Sequence, residues 1–101
     1  NNRIIENSTY NGVITSFGRE GIFWKTYEGS LAVGGEQRSV STIFSLDNRM
    51  DEQKKNDLIT KLNEATKNRS PVRINGTGYL ATWPWRSKTT YLIQEVEPLG
   101  K

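Results

Sequence analysis

Hydrophobic and polar positions alternate along most of this chain, and one central stretch breaks the alternation with helical spacing. Tyr10 to Phe17 carries Val13, Ile14, Thr15 and Phe17, types that favour a pleated, half-buried surface, and it stops at Gly18-Arg19-Glu20-Gly21, a turn bracketed by glycines. Ile22 to Glu28 follows as a second strand, so the two predict a hairpin. Strand parity places Ile22, Trp24 and Thr26 on one face and Phe23, Lys25 and Tyr27 on the other, with an aromatic on each. A strand apolar on both sides is central in a sheet or wrapped into a barrel. Leu31 to Val33 is a short apolar piece before Gly34-Gly35, and Arg38 to Leu46 resumes with Val40, Phe44 and Leu46 on one face. The glycine pair predicts a bulge or bend within one long third strand.

Asn48 to Lys67 is the one helical segment: Leu58, Ile59, Leu62 and Ala65 fall at i, i+1, i+4 and i+7 and form a single narrow apolar stripe. Asn48 is the expected N-cap, with Asp51 and Glu52 in the first turn at the positive end of the helix dipole, and Pro71 marks the stop. Lys54, Lys55, Lys61 and Lys67 against Asp51, Glu52, Asp57 and Glu64 predict a solvated face, with Asp51–Lys55 and Asp57–Lys61 at i,i+4. Val72 to Leu80 and Thr89 to Glu97 supply two more strands. Residues 1–9 read as a flexible lead-in, 10–98 as one domain and 99–101 as a tail. The order β-β-β-α-β-β is that of an OB-fold-like, five-stranded Greek-key barrel, mainly β with one helix between strands three and four. An open sheet with one helix and an SH3-like barrel are the rival arrangements.

Composition narrows what such a domain can do. At 101 residues, 34% of them apolar, the chain fits one domain with a modest core. It contains no cysteine and no histidine, which removes disulfides, thiolate nucleophiles, Cys/His zinc sites and every triad built on an imidazole. Glu20, Glu28 and Asp47 offer carboxylates, yet no paired spacing, Gly-x-Ser-x-Gly turn or metal motif accompanies them. A non-enzymatic protein with no cofactor and no metal is therefore expected. The net charge of +3 is spread along the chain and permits an acidic partner without demanding one. No apolar run approaches the roughly 20 residues of a membrane span.

Candidate binding residues fall in two places. Trp83-Pro84-Trp85-Arg86-Ser87-Lys88 connects the last two strands, where OB folds contact their ligands, and its two indoles beside Arg86 and Lys88 offer stacking and cation–π surfaces. The same tryptophans can instead fold back and cap the open end of the barrel. Phe23, Lys25 and Tyr27 share a face of the second strand and form the second candidate platform, unless both rings are packed and Lys25 snorkels.

Gly12-Val13-Ile14, Gly21-Ile22-Phe23-Trp24-Lys25-Thr26-Tyr27-Glu28-Gly29-Ser30-Leu31, Phe44-Ser45 and Trp83-Pro84-Trp85-Arg86 running into Thr90-Tyr91-Leu92-Ile93 resemble a set of small uncharacterised bacterial envelope proteins of OB-like fold. Members of that set are often mislabelled 6-phosphogluconate dehydrogenase. The chain has no Gly-x-Gly-x-x-Gly after a first strand and is too short for a Rossmann domain, so nothing supports dehydrogenase chemistry. Members typically begin with a hydrophobic anchor or signal segment. The resemblance therefore implies a periplasmic or membrane-anchored domain that touches the membrane only through an anchor ahead of Asn1. The chain departs from the set at Gly34-Gly35 and in its longer helix. The expected function is a binding or interaction module for a protein or glycan partner. The alternative is a single-stranded nucleic-acid binder using Phe23, Lys25, Tyr27, Trp83, Trp85, Arg86 and Lys88.

Overall fold

Seventeen residues of continuous strand open the structure, a computed structural model that describes residues 4–34 and 40–100. This strand, β1 (Ile4–Glu20), pairs along its first half with β4 (Pro71–Tyr79) and along its second half with β2 (Thr26–Val33), changing partner at Val13, which lies opposite both Pro71 and Ala32. A register shift between Ile14 and Ser16 follows the change of partner, the position where an irregularity bends a strand most easily. β3 (Val40–Leu46) runs antiparallel to β2, and β5 (Tyr91–Pro98) antiparallel to β4. β5 also meets β3 in parallel through Ser45–Leu92 and Leu46–Ile93. The chain is thus mainly β in the order β-β-β-α-β-β, its five-stranded mixed sheet closing in a ring β1-β2-β3-β5-β4. The β3–β5 seam is short and parallel, and the ring is not a regular barrel.

Three boundaries differ from the sequence reading. Residues 4–9, expected as lead-in, are strand. Asn7, Ser8 and Thr9 concealed it, because ladder hydrogen bonds belong to the backbone and form whatever side chains hang from it. Polar cross-strand pairs add to them: Thr9 donates to Asn75, and Thr77 to Asn7 at 2.9 Å. The hairpin turn comes later than expected, at 21–25, so Ile22 to Lys25 are not strand. Gly21 turns the chain: its φ is +124° and a Cβ there would run into the Trp24 carbonyl oxygen, whereas a Cβ at Gly18 would meet nothing. Finally, Leu31 to Val33 end β2 instead of opening a bulged third strand, and Gly34, with φ +126°, begins the connection. Gly35 and Arg38 lie outside the described residues, and Val40, expected beside Phe44 and Leu46 on an inner face, is exposed.

The core fills the ring with Ile14, Leu31, Phe44, Leu46, Val72, Ile74, Ile93 and Val96, and α1 (Glu52–Asn68) covers it with Leu58, Leu62 and Ala65. The apolar stripe is the one the spacing predicts, with Ile59 partly buried at its margin. The N-cap is Asp51, whose carboxylate accepts from the Lys54 N–H at 3.1 Å. Asn48 is engaged elsewhere, donating its backbone N–H to Arg86 O at 3.0 Å and its amide to Trp85 O at 3.1 Å. Lys55, expected on a solvated face, is buried: its ammonium lies 3.3 Å from Asn48 Oδ1 and 3.9 Å from Glu52. Arg69 closes the helix in the left-handed conformation, φ 54°.

Tyr91 ties β5 to β1. Its hydroxyl donates to Ser8 O at 2.8 Å, and its ring meets that of Tyr10 edge-on at 5.5 Å. Burial first, then the neighbouring Tyr10 and Glu6, push its phenol up from 10.0 to about 12. A raised acid favours the neutral form in the folded state, so its contribution is fully present below pH 10 and is lost as pH rises towards 12. Thermal melts across that window should fall more steeply for the wild type than for Tyr91→Phe. Parallel declines would remove Tyr91 from the alkaline transition.

Candidate functional site

Even-numbered side chains of β2 point away from the core, and there Thr26 and Glu28 are nonetheless buried, with the β4–β5 connection at 80–90 reaching Glu28 through the Lys88 N–H. Glu28 is the centre of the contact. It accepts from Thr26 Oγ1 at 2.6 Å, from the hydroxyl of Ser45 on β3, and from the Lys88 N–H at 3.1 Å. Ser45 in turn accepts from the Thr89 N–H at 3.0 Å, and Ser87 donates to Thr89 O at 2.8 Å. A carboxylate removed from water needs such donors to offset its lost hydration, and the Lys88 N–H among them, with the Thr89 N–H on Ser45, fastens the loop to the sheet.

A second clamp holds the same loop from the side. Arg86, buried with a 4% exposed side chain, bonds Asp47 at 2.9 Å and lies over the Tyr79 ring at 4.8 Å. Burial alone would raise the Asp47 pKa, but the hydrogen bond from Arg86, the Arg49 N–H and the charges of both arginines together hold it below its usual value. Burial likewise opposes the Arg86 charge, and Asp47, followed by Tyr79, more than offsets it, so the pKa is raised and the guanidinium stays protonated. Arg86, expected to face a ligand, is therefore an internal strut: a planar guanidinium can satisfy a carboxylate and stack on a ring at once.

With Arg86 turned inward, the indoles turn outward. Arg86 and Ser87 donate their N–H groups to Trp83 O at 2.9 and 3.2 Å, a tight turn that leaves Trp83 56% and Trp85 39% exposed. Neither tryptophan belongs to the core cluster. Lys88, half exposed, stands 4.0 Å from Glu20 at the end of β1. Between them opens a cleft of about 360 Å³ on the outer face of the β1–β2–β3 sheet, with Ser16, Glu20, Ser30, Ile43 and Thr89 on its walls and Glu28 beneath. Ser16, Ser30 and Thr89 bring hydroxyls to it, and Ser30 Oγ lies 2.8 Å from Ser16 Oγ and 2.6 Å from the neighbouring Thr15 Oγ1.

The platform expected from Phe23, Lys25 and Tyr27 does not form. Phe23 and Lys25 sit exposed in the turn, while Tyr27 stacks on Phe17 at 5.8 Å on the inner side, with Arg19 over its ring. Of the seven candidates, Trp83, Trp85 and Lys88 share the β4–β5 loop, Phe23 and Lys25 share the hairpin tip, and Tyr27 and Arg86 are taken into packing. Glu20, Glu28 and Ser30 were not singled out together as one surface. The alternation Thr26, Glu28, Ser30 against Tyr27, Gly29, Leu31 marks it once the strand is started at Thr26.

Among the described residues no three His, Cys, Asp or Glu side chains stand close enough to share a metal ion, and no helix is long and apolar enough to cross a membrane. Comparison of the chain with protein-family models, with curated proteins and with solved structures finds no match.

Proposed function

We propose that this chain is a non-enzymatic binding module of OB type that takes a glycan on the outer face of β2 and β3, beside the β4–β5 loop. The ring order β1-β2-β3-β5-β4, with the helix between β3 and β4, supports an OB reading, and OB folds bind on that face and at that loop. The observation that carries the reading is that the β4–β5 loop which turns Trp83 and Trp85 outward also supplies Lys88 and Thr89 to a cleft of hydroxyls and carboxylates on the sheet. A sugar ring presents apolar C–H faces to an aromatic and hydroxyls to polar walls. An envelope location, as the resemblance implies, supplies such ligands. The nucleic-acid reading loses support because Arg86 is committed to Asp47, and Glu20 and Glu28 line the cleft where phosphates would have to come.

Titration of the protein with soluble peptidoglycan fragments, followed by tryptophan emission, tests this. Saturable quenching is expected, and Trp85→Ala should weaken it by about tenfold, or 1.4 kcal/mol. Quenching by a single-stranded oligonucleotide that fades with salt, with no response to the glycans, would overturn the proposal in favour of nucleic-acid binding.

A further inference from the structure

Ile22, Phe23 and Trp24 are consecutive at the β1–β2 turn and are 88%, 85% and 50% exposed. Large apolar side chains grouped in water mark an interaction surface, whereas single exposed ones do not. This tip is built rather than loose: paired strands carry it as far as Glu20 and Thr26, Gly21 supplies the conformation that turns the chain, and the Phe23 and Trp24 rings lie edge-on 6.2 Å apart. Beside the tip, between the hairpin and the start of α1, lies a polar cleft lined by Arg19, Lys25 and Lys55, with Asn48 and Asn56 beside them and Glu52 as the one carboxylate.

We propose that this end of the molecule seats on an anionic phospholipid surface, with Ile22, Phe23 and Trp24 entering the boundary between headgroups and acyl chains and a lipid phosphate held between Arg19, Lys25 and Lys55. The adjacency of exposed apolar side chains and cations carries the assignment. Ile22 and Phe23 are the most exposed, Trp24 supplies an indole, which favours the membrane–water boundary, and Lys25 follows in the chain with Arg19 and Lys55 in the same cleft, so groups suited to acyl chains and to phosphate lie side by side. The exposed tip adjoins a cleft with three cations against one carboxylate, and Glu20 at the base of the turn stands 4.0 Å from Lys88, so this end complements an anionic surface in charge. This inference is independent of the glycan reading, since no membrane contact in it uses Trp83, Trp85 or Lys88.

Co-sedimentation of the full chain with phosphatidylcholine vesicles, with and without phosphatidylglycerol, tests it. Binding is expected to the anionic vesicles and to be about tenfold weaker without phosphatidylglycerol. Lys25→Glu should weaken it by roughly 30-fold, the effect of two charge units at an anionic leaflet. Phe23→Ser should weaken it by roughly tenfold through lost apolar burial. Both side chains are exposed, so unchanged melting temperatures show that the variants are folded, and Trp85→Phe should bind vesicles as the wild type does. Equal binding to both vesicle types, or binding that survives Phe23→Ser, would overturn the proposal. So would failure to bind either vesicle together with a concentration-dependent dimer that Phe23→Ser abolishes, which would make the tip a contact between copies.

Discussion

Asp47→Ala is expected to destabilise the protein by about 3 kcal/mol, because it leaves a nearly buried guanidinium without its carboxylate. The pair is short, at 2.9 Å, with side chains only 4% and 20% exposed, so water screens it little. The same carboxylate accepts from the Arg49 N–H at 2.9 Å, and the backbone of Arg86 receives the Asn48 N–H at 3.0 Å. The pair therefore joins the end of β3 and the approach to α1 to the β4–β5 loop. In a domain of about this size each kcal/mol moves the melting temperature by roughly 4 to 8 °C, so a fall of more than about 12 °C is expected. Arg86→Ala should lose a similar amount, and the double variant much less than the sum, since the second change removes a partner already lost. The pH dependence has a definite sign. Asp47 has a lowered pKa, so its contribution is present above the usual carboxylate value of 3.8 and disappears as pH falls through the lowered one. Wild type and Asp47→Asn should therefore converge in acid. An additive double variant, or a gap that persists in acid, would show that the pair does not hold the loop.

Gly29→Ala is expected to cost about 2 to 3 kcal/mol, the cost of overpacking a filled core. Gly29 lies in β2 directly opposite Phe44, and a Cβ there would come within 2.5 Å of Phe44 Cζ and 2.8 Å of Ser16 O. Neither neighbour can retreat: Phe44 is fully buried and stacked on Phe17 at 6.3 Å, and the Ser16 carbonyl belongs to the β1–β2 ladder. Phe44→Leu removes the offending ring and loses core contacts of its own. Combined, the two should destabilise by about 1 kcal/mol less than their sum, because each relieves the strain of the other. Denaturant midpoints for the three variants measure this, and a Gly29→Ala protein as stable as the wild type would show that the ring does not occupy the space over Gly29.

Local spacing made α1 legible. Leu58, Leu62 and Ala65 fall on one helical face whatever surrounds them, and all three are buried. The cap was misplaced by three residues because Asn48 and Asp51 are both good N-caps, and the choice fell to partners far along the chain, Trp85 O and Arg86 O. The hairpin shows the opposite limit. Ile22 to Trp24 read as strand because apolar residues usually measure burial, but here they crown a turn. Arg86 and Lys88, two residues apart, read alike as surface cations, and the fold sends one into Asp47 and leaves the other half exposed.

Element order, a single helix, the strand-rich class and the absence of thiol and imidazole chemistry follow from the residues alone, because propensity, periodicity and composition are local quantities. Only the tertiary structure decided that residues 4–9 join β4, that β3 closes on β5, that Glu28 and Arg86 lie beneath the loop, and that the aromatics of the two loops face water. Backbone pairing is indifferent to the side chains that patterns are read from, and whether a given Trp, Arg or Glu is buried depends on neighbours brought to it from many residues away.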